Sequence, residues 1–194
     1  MTKWWIIARK QEMTRLWVDD KYVPVTLLVV PEQDILQWKS EDKDWYVAVV
    51  VWAGKKELAK EKGNKVSYAY ITEFRGVEQS DDWKAGSEQL VDAASVKVTS
   101  ISKWKWFQWV MKRYNFGWWP ASHGSKFHRA AWSTGNRKPR RTIKGQKMAW
   151  RMWADKVTLR SVPVVDMWTN EWETVVALKG SIPGSYNSFV KLSV

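Results

Sequence analysis

The chain of 194 residues contains no cysteine. Disulfides and thiolate metal sites are therefore excluded, and the composition fits a reducing compartment such as the cytoplasm. No apolar run approaches the roughly 18 residues that a membrane-crossing helix needs. The opening MTKWWIIARKQEMT turns charged after a few apolar residues, so the apolar stretch and small-residue cleavage pattern of a secretory leader are not expected. Glycine is scarce, with ten residues, against a usual share of roughly 7%. The most informative deficit is local: from Lys103 to Trp153 there is no Asp and no Glu.

That stretch is rich in the opposite charge. Its 51 residues hold thirteen Lys or Arg and both histidines, while the other 143 residues hold nineteen basic and twenty acidic side chains. The formal charge of +12 thus resides in one segment, and the remainder is close to neutral. A solvated surface loop normally mixes signs. A segment that omits carboxylates altogether is built to lie against a polyanion. Tryptophan is the second excess: there are seventeen, eight of them inside the basic segment.

Outside the segment the pattern is that of short strands. Residues 4–9 and Val23–Val30 are strand-like, the second preceded by the turn pair Asp19-Asp20 and stopped by Pro31. Trp45–Val51, Val66–Phe74, Gln89–Val98, Lys156–Val165, Thr174–Leu178 and Ser188–Val194 continue the series. Lys55–Lys62 has helix-forming composition and predicts a short solvated helix or turn, and Gly180–Gly184 predicts a loop. Many short strands separated by turns indicate a mainly β protein, a closed or nearly closed β-barrel. Residues 1–102 and 154–194 are assigned to this body, and 103–153 to a long, basic, irregular extension. The extension has no sustained apolar period, so it is expected to be an extended loop that gains order against its partner. Met111, Met148 and Met152 are expected as its packing residues.

From Val96 the chain reads VKVTSISKWKWFQWVMKRYNFGWWPASHGSKFHRAAWSTGNRKPRRTIKGQKMAWRMWADKVTL. This resembles the bacterial form of the universal large-subunit ribosomal protein number three, whose pattern runs V-D-V-T-G-x-S-K-G-K-G-F, K-R-x-N-F, A-S-H-G-S-x-x-H-R and K-G-K-x-M-A-G. IIARKQEMTRLW with VPVTLLVV is similar to the family's opening, and KGSIPG at 179–184 to its closing motif. The resemblance spans nearly the whole chain. It implies a translation-protein-like β-barrel and a structural role in the large ribosomal subunit. The partners it implies are 23S-type ribosomal RNA and neighbouring large-subunit proteins. Early assembly and organisation of RNA near the peptidyl-transferase region belong to the same expectation, as does a cytoplasmic, ribosome-bound location. No cofactor, membrane or small-molecule substrate is implied.

The departures from that pattern are systematic. Trp104, Trp106, Trp109, Trp118, Trp119, Trp132, Trp150 and Trp153 stand where the family has glycine, as do Trp45, Trp52 and one of Trp4 and Trp5. One hypothesis accounts for them together: the gene uses TGA for glycine and was translated as though TGA meant Trp. Codons reading TGG at these positions would end it. The other reading is true tryptophans that stack on unpaired bases, each worth roughly 1–3 kcal/mol. Asn136-Arg137-Lys138-Pro139-Arg140-Arg141 is one residue shorter than the family's tip and lacks a Gln that some relatives modify.

The candidate RNA-binding residues are Lys103, Lys105, Lys112, Arg113, His123, Lys126, His128, Arg129, Arg137, Lys138, Arg140, Arg141, Lys144, Lys147 and Arg151. Arginine forks onto phosphate oxygens or stacks on bases, and lysine acts as a point charge. His123 and His128 do not make a metal site, since no Cys, Asp or Glu in the segment completes the coordination. Ser122-His123 is not a catalytic pair, because no nearby carboxylate orients the ring. Gly124-Ser125-Lys126 lacks the leading glycine of a phosphate-binding loop. The chain is therefore expected not to be an enzyme. The alternative class is a Trp/Lys-rich membrane-surface or general polyanion binder, because KWKWFQW taken literally resembles interfacial peptides.

Overall fold

Alternation along the first strand builds the molecule in two directions at once. In β1 (Trp5–Val18) the side chains of Ile6 and Ala8 join one buried cluster, while Ile7 between them joins another. Successive side chains on a strand point to opposite faces, so β1 is buried on both sides near its start. The computed structural model describes residues 5–57, 66–76, 90, 93–117, 120–124, 128–131, 133–152, 154–169 and 173–193, with the side chains of 55–57 and 66–67 excepted. The chain divides into two units, Met1–Ile101 with Lys156–Val194, and Ser102–Asp155.

In the first unit, β1 turns into β2 (Lys21–Val30) through Asp19 and Asp20, both at positive φ, 47° and 58°. Two consecutive left-handed residues suit the twist of a two-residue hairpin, and aspartate tolerates them. These strands close a six-stranded antiparallel barrel with β6 (Ser95–Ile101), β9 (Lys156–Thr169), β10 (Thr174–Lys179) and β11 (Phe189–Ser193), in the order β1-β11-β6-β9-β10-β2. Leu28, Val98, Val176, Leu178, Val190 and Leu192 fill its interior. The expected mainly β barrel is what the chain forms.

A three-stranded sheet packs in the same unit: β3 (Gln33–Lys39), β4 (Ala48–Glu57) and β5 (Val66–Arg75). Val49, Val51, Ala53 and Phe74 bury against Ile7. The Gln33 amide accepts from the Ile7 N–H (3.0 Å) and donates to the Ile7 carbonyl (3.4 Å), standing in for a neighbouring strand. Lys10 is buried, and its ammonium donates to the carbonyls of Ile182 (2.6 Å) and Gly184 (3.1 Å), fixing the loop before β11. Gly184 has φ +109° and a Cβ there would fall 2.5 Å from the Ser188 hydroxyl, so only glycine fits.

Several expectations change. Trp45–Val51 is not one strand: α1 (Glu41–Asp44) precedes it, Trp45 caps that turn, and β4 begins at Ala48. Residues 55–57 extend β4, paired to β5, instead of forming a helix; cross-strand pairing overrides their helical propensity. The rest of the expected helix, 58–62, lies outside the described residues. Of the strand expected over Gln89–Val98, β6 covers Ser95–Val98, while residues 89, 91 and 92 lie outside the described residues; β3 is an additional strand that the sequence pattern does not announce.

Candidate nucleic-acid interface

The second unit lies between the end of β6 and the start of β9. The Ser102 N–H donates to the Asp155 carbonyl (2.8 Å), and the Asp155 N–H donates to the Ser102 hydroxyl (3.1 Å). Beyond this clasp, β7 (Lys105–Gln108) pairs antiparallel with β8 (Trp150–Met152), and α2 (Val110–Tyr114) follows β7. Asn115, at φ 57°, ends the helix in the left-handed conformation that asparagine tolerates. Val110 and Met111 are buried, so the segment is not wholly an extended loop. The five-residue helix was hidden because it is too short to show a period. Met148, expected as a packing residue, is exposed.

Past this base the character changes. Every residue from 133 to 145 is exposed, including Arg137, Lys138, Arg140, Arg141 and Lys144. Thirteen consecutive residues without a buried side chain gain no hydrophobic stabilisation to offset the entropy of ordering them. Local polar contacts hold the turns: the Ser133 hydroxyl with Gly135, and the Gln146 amide donating to the Thr134 carbonyl at 2.6 Å.

The other candidates distribute around the base. Lys103, Lys105, Lys112, His123, Arg129 and Lys147 are exposed; Arg113, His128 and Arg151 are half-buried; Lys126 lies outside the described residues. Arg113 has a structural duty as well, because its guanidinium donates to the Met148 carbonyl at 2.7 Å and lies 5.0 Å from the Tyr114 ring centroid. Lys147 approaches the same ring at 5.7 Å. Tyr114 is thus a cation platform that the charge count alone did not single out; an aromatic beside Arg113 was its only signal. Arg151 lies 5.5 Å from the Trp150 ring. Among the described residues no cluster of potential metal ligands occurs, and no helix is long and apolar enough to cross a membrane.

The aromatic side chains of the base face outward. Trp104, Trp106, Phe107, Trp109 and Trp150 are all exposed. Trp104 and Trp106 meet at 5.7 Å, and Phe107 and Trp109 edge-to-face at 5.4 Å. Trp106, Phe107, Trp150 and Arg151 line a shallow hollow of about 150 Å³. Trp118, Trp119, Trp132 and Trp153 lie outside the described residues. The unit therefore offers cations and ring faces, the two features that hold a nucleic-acid strand.

No protein-family profile matches the chain. Individual relatives do. It is 35% identical to the large ribosomal subunit protein uL3 of Fervidobacterium nodosum, over 95% of each chain. It is 38% identical to the protein of that name from Borreliella afzelii, again over 95% of each. The Deinococcus radiodurans protein is 34% identical over 96% of this chain and 92% of its own. Identity at this level along essentially the full length, on a closed barrel interrupted by a carboxylate-free arm, means that the chain belongs to the uL3 family of large ribosomal subunit proteins.

Proposed function

We propose that this chain is a non-catalytic, structural constituent of the large ribosomal subunit that binds 23S-type ribosomal RNA through residues 103–153. The observation that carries this reading is the fully exposed run 133–145, with five cations, in a segment that contains no carboxylate. Such a run replaces condensed counterions between converging phosphates, and counterion release drives the binding. The fifteen residues proposed as contacts are those of the basic segment, Lys126 among them. Arg137, Lys138, Arg140 and Arg141 are the foremost, because nothing in the fold buries them.

By the same reading the protein acts early in subunit assembly and organises RNA near the peptidyl-transferase region. It does so in the cytoplasm, beside neighbouring large-subunit proteins. Peptide transfer belongs to the RNA. No cofactor and no small-molecule substrate enter this role.

The exposed rings at Trp104, Trp106, Phe107 and Trp109 beside Lys105 favour one competing reading, a membrane-surface binder. A salt titration decides between them. Binding to a transcribed large-subunit RNA is expected to weaken with salt along a log–log slope of roughly −4 to −5 for half a dozen phosphates. Arg140→Ala with Arg141→Ala is expected to make that slope shallower by roughly 1–2. An unchanged slope would show that the tip does not touch phosphate. Tighter binding to anionic lipid vesicles than to RNA, at physiological salt, would favour the membrane reading.

A further inference from the structure

A second group of cations stands on the barrel unit, outside the basic segment: Lys97 and Lys156 flank that segment in sequence, and Lys191 lies far from it. β6 buries Val96, Val98 and Ser100 and turns Lys97 and Thr99 outward. β11 buries Val190 and Leu192 and turns Lys191 outward. The registers place Lys191 opposite Thr99, and Thr99 opposite Thr158 of β9, so the three form one row across adjacent strands. The Thr99 and Thr158 hydroxyls lie 3.1 Å apart. With Lys97 and Lys156 they line a cleft of about 630 Å³. That volume lies in the range that holds a drug-sized group, so more than a lone ion fits.

The charge of this cleft is not balanced from within. Among the described residues its one lining carboxylate is Glu73. Glu73 already accepts from Lys39 (2.9 Å), Arg75 (2.8 Å) and the Tyr46 hydroxyl (2.9 Å). Lys191 has only a long bond to the Glu73 backbone carbonyl (3.3 Å) and a position 5.1 Å from the Phe74 ring centroid. Burial, and then the neighbouring Lys156 ammonium, push the Lys191 pKa down. Like charges held together on rigid strands are costly unless an anion relieves them.

We propose that this cleft is a second RNA contact, which takes the sugar–phosphate backbone of a strand. Lys97, Lys156 and Lys191 supply point charges, and the Thr99 and Thr158 hydroxyls donate to phosphate oxygens. Arg75 is already engaged by Glu73, so the cleft meets an anion with compact ammonium groups, which act on phosphate as point charges, and with hydroxyl donors. The proposal rests on the reading that the chain binds RNA.

The test compares two variants of the full chain on a transcribed large-subunit RNA. Lys97→Gln with Lys156→Gln removes two exposed charges. Binding at 0.15 M salt is expected to weaken by roughly three- to tenfold and the salt slope to become shallower by roughly 1–2. A slope equal to that of the unaltered protein overturns the cleft. If Arg140→Ala with Arg141→Ala flattens the slope while the cleft variant does not, the cleft alone is wrong. If the unaltered chain shows no salt-dependent RNA binding, the functional reading itself falls. Amine-reactive labelling of the unaltered protein gives a second readout that needs no substitution. Lys97 and Lys156 are expected to be shielded when RNA is added, and unchanged labelling counts against the proposal. Loss of binding to an acidic peptide with RNA binding intact would make the cleft a protein site and overturn it.

Discussion

Leu28, Val98 and Leu178 in the barrel have no exposed surface, whereas from 133 to 145 no residue is buried at all. The barrel unit carries its own reason to fold: alternating strands, a closed ring of backbone hydrogen bonds, and apolar side chains sealed inside. Among the described residues, the basic unit carries such a reason only at its base, where α2 buries Val110 and Met111. Its tip has charge of one sign, local turns and no core. The two regions show that one sequence can specify structure either by what it buries or by what it leaves for a partner to neutralise. The same contrast recurs in miniature within the barrel unit. There Glu73 closes one ion cluster completely, while Lys97, Lys156 and Lys191 remain turned toward the cleft.

The largest expected effect breaks the barrel. Leu178→Ala removes a fully buried side chain from the interior and is expected to cost about 2–5 kcal/mol in denaturant unfolding. The matching truncation in the tip, Ile143→Ala, removes a side chain that is 62% exposed and is expected to change stability by less than about 0.5 kcal/mol. If Ile143→Ala destabilised as much as Leu178→Ala, the tip would have a core of its own and the comparison would fail.

The next effect concerns tryptophan, which the barrel unit holds in two different ways. Trp45 sits at φ 68°, ψ 1° at the end of α1 and is 93% exposed. A left-handed backbone costs an ordinary L-residue roughly 1–2 kcal/mol, and an exposed ring recovers little of it. Trp45→Gly is therefore expected to stabilise the barrel unit by about 1 kcal/mol, read as a rise in Tm. Trp52 is a contrasting case, since it is buried and its ring lies 4.6 Å from that of Tyr68. Replacing Trp52 is expected to remove packing if it is a true tryptophan. The TGA hypothesis makes a sharper demand: codons reading TGA at both positions, and an intact mass lower by one indole-bearing side chain for every exchanged site. TGG codons, or a mass equal to that of the printed sequence, would end it.

Most of the barrel unit was legible because burial writes itself into β-branched runs: Val23–Val30 and Thr174–Leu178 in the barrel and Val66–Phe74 in the three-stranded sheet each coincide with a strand to within a few residues. The misreadings have physical causes. WYVAVVV looks like one strand, but the left-handed turn at Trp45 is set by backbone geometry that composition does not record. Residues 55–57 have helical propensity and lie in a strand because β5 pairs with them. Gln33–Lys39 carries polar residues at edge positions and so lacked a strand's appearance. At the interface, charge alone marked the basic segment, since its cations are contiguous in sequence. The cleft cations were not legible, because only the barrel register brings Lys97, Lys156 and Lys191 together.

The smallest expected effect tests whether Glu73 is as self-contained as the contrast with the cleft requires. Hydrogen bonds from Lys39 and then Arg75 hold its carboxyl at about 2, below the ordinary 4.5. The same contact with Glu73 raises Lys39 above its ordinary value, so the pair stays charged throughout the neutral range. An acid whose folded pKa is depressed adds stability that is present above its unfolded value and lost as pH falls through the folded one. The gap in Tm between the unaltered protein and Glu73→Gln is therefore expected to be constant above about pH 4.5, and to shrink as pH falls toward 2. It should also shrink with added salt, because both partners are partly exposed. In RNA binding the same variant should leave the salt slope as it was or make it slightly steeper, since the cleft loses the one carboxylate that lines it among the described residues. A shallower slope would mean that Glu73 serves the RNA contact itself by positioning Lys39 and Arg75, and the division between a closed ion cluster and an open one would have to be redrawn.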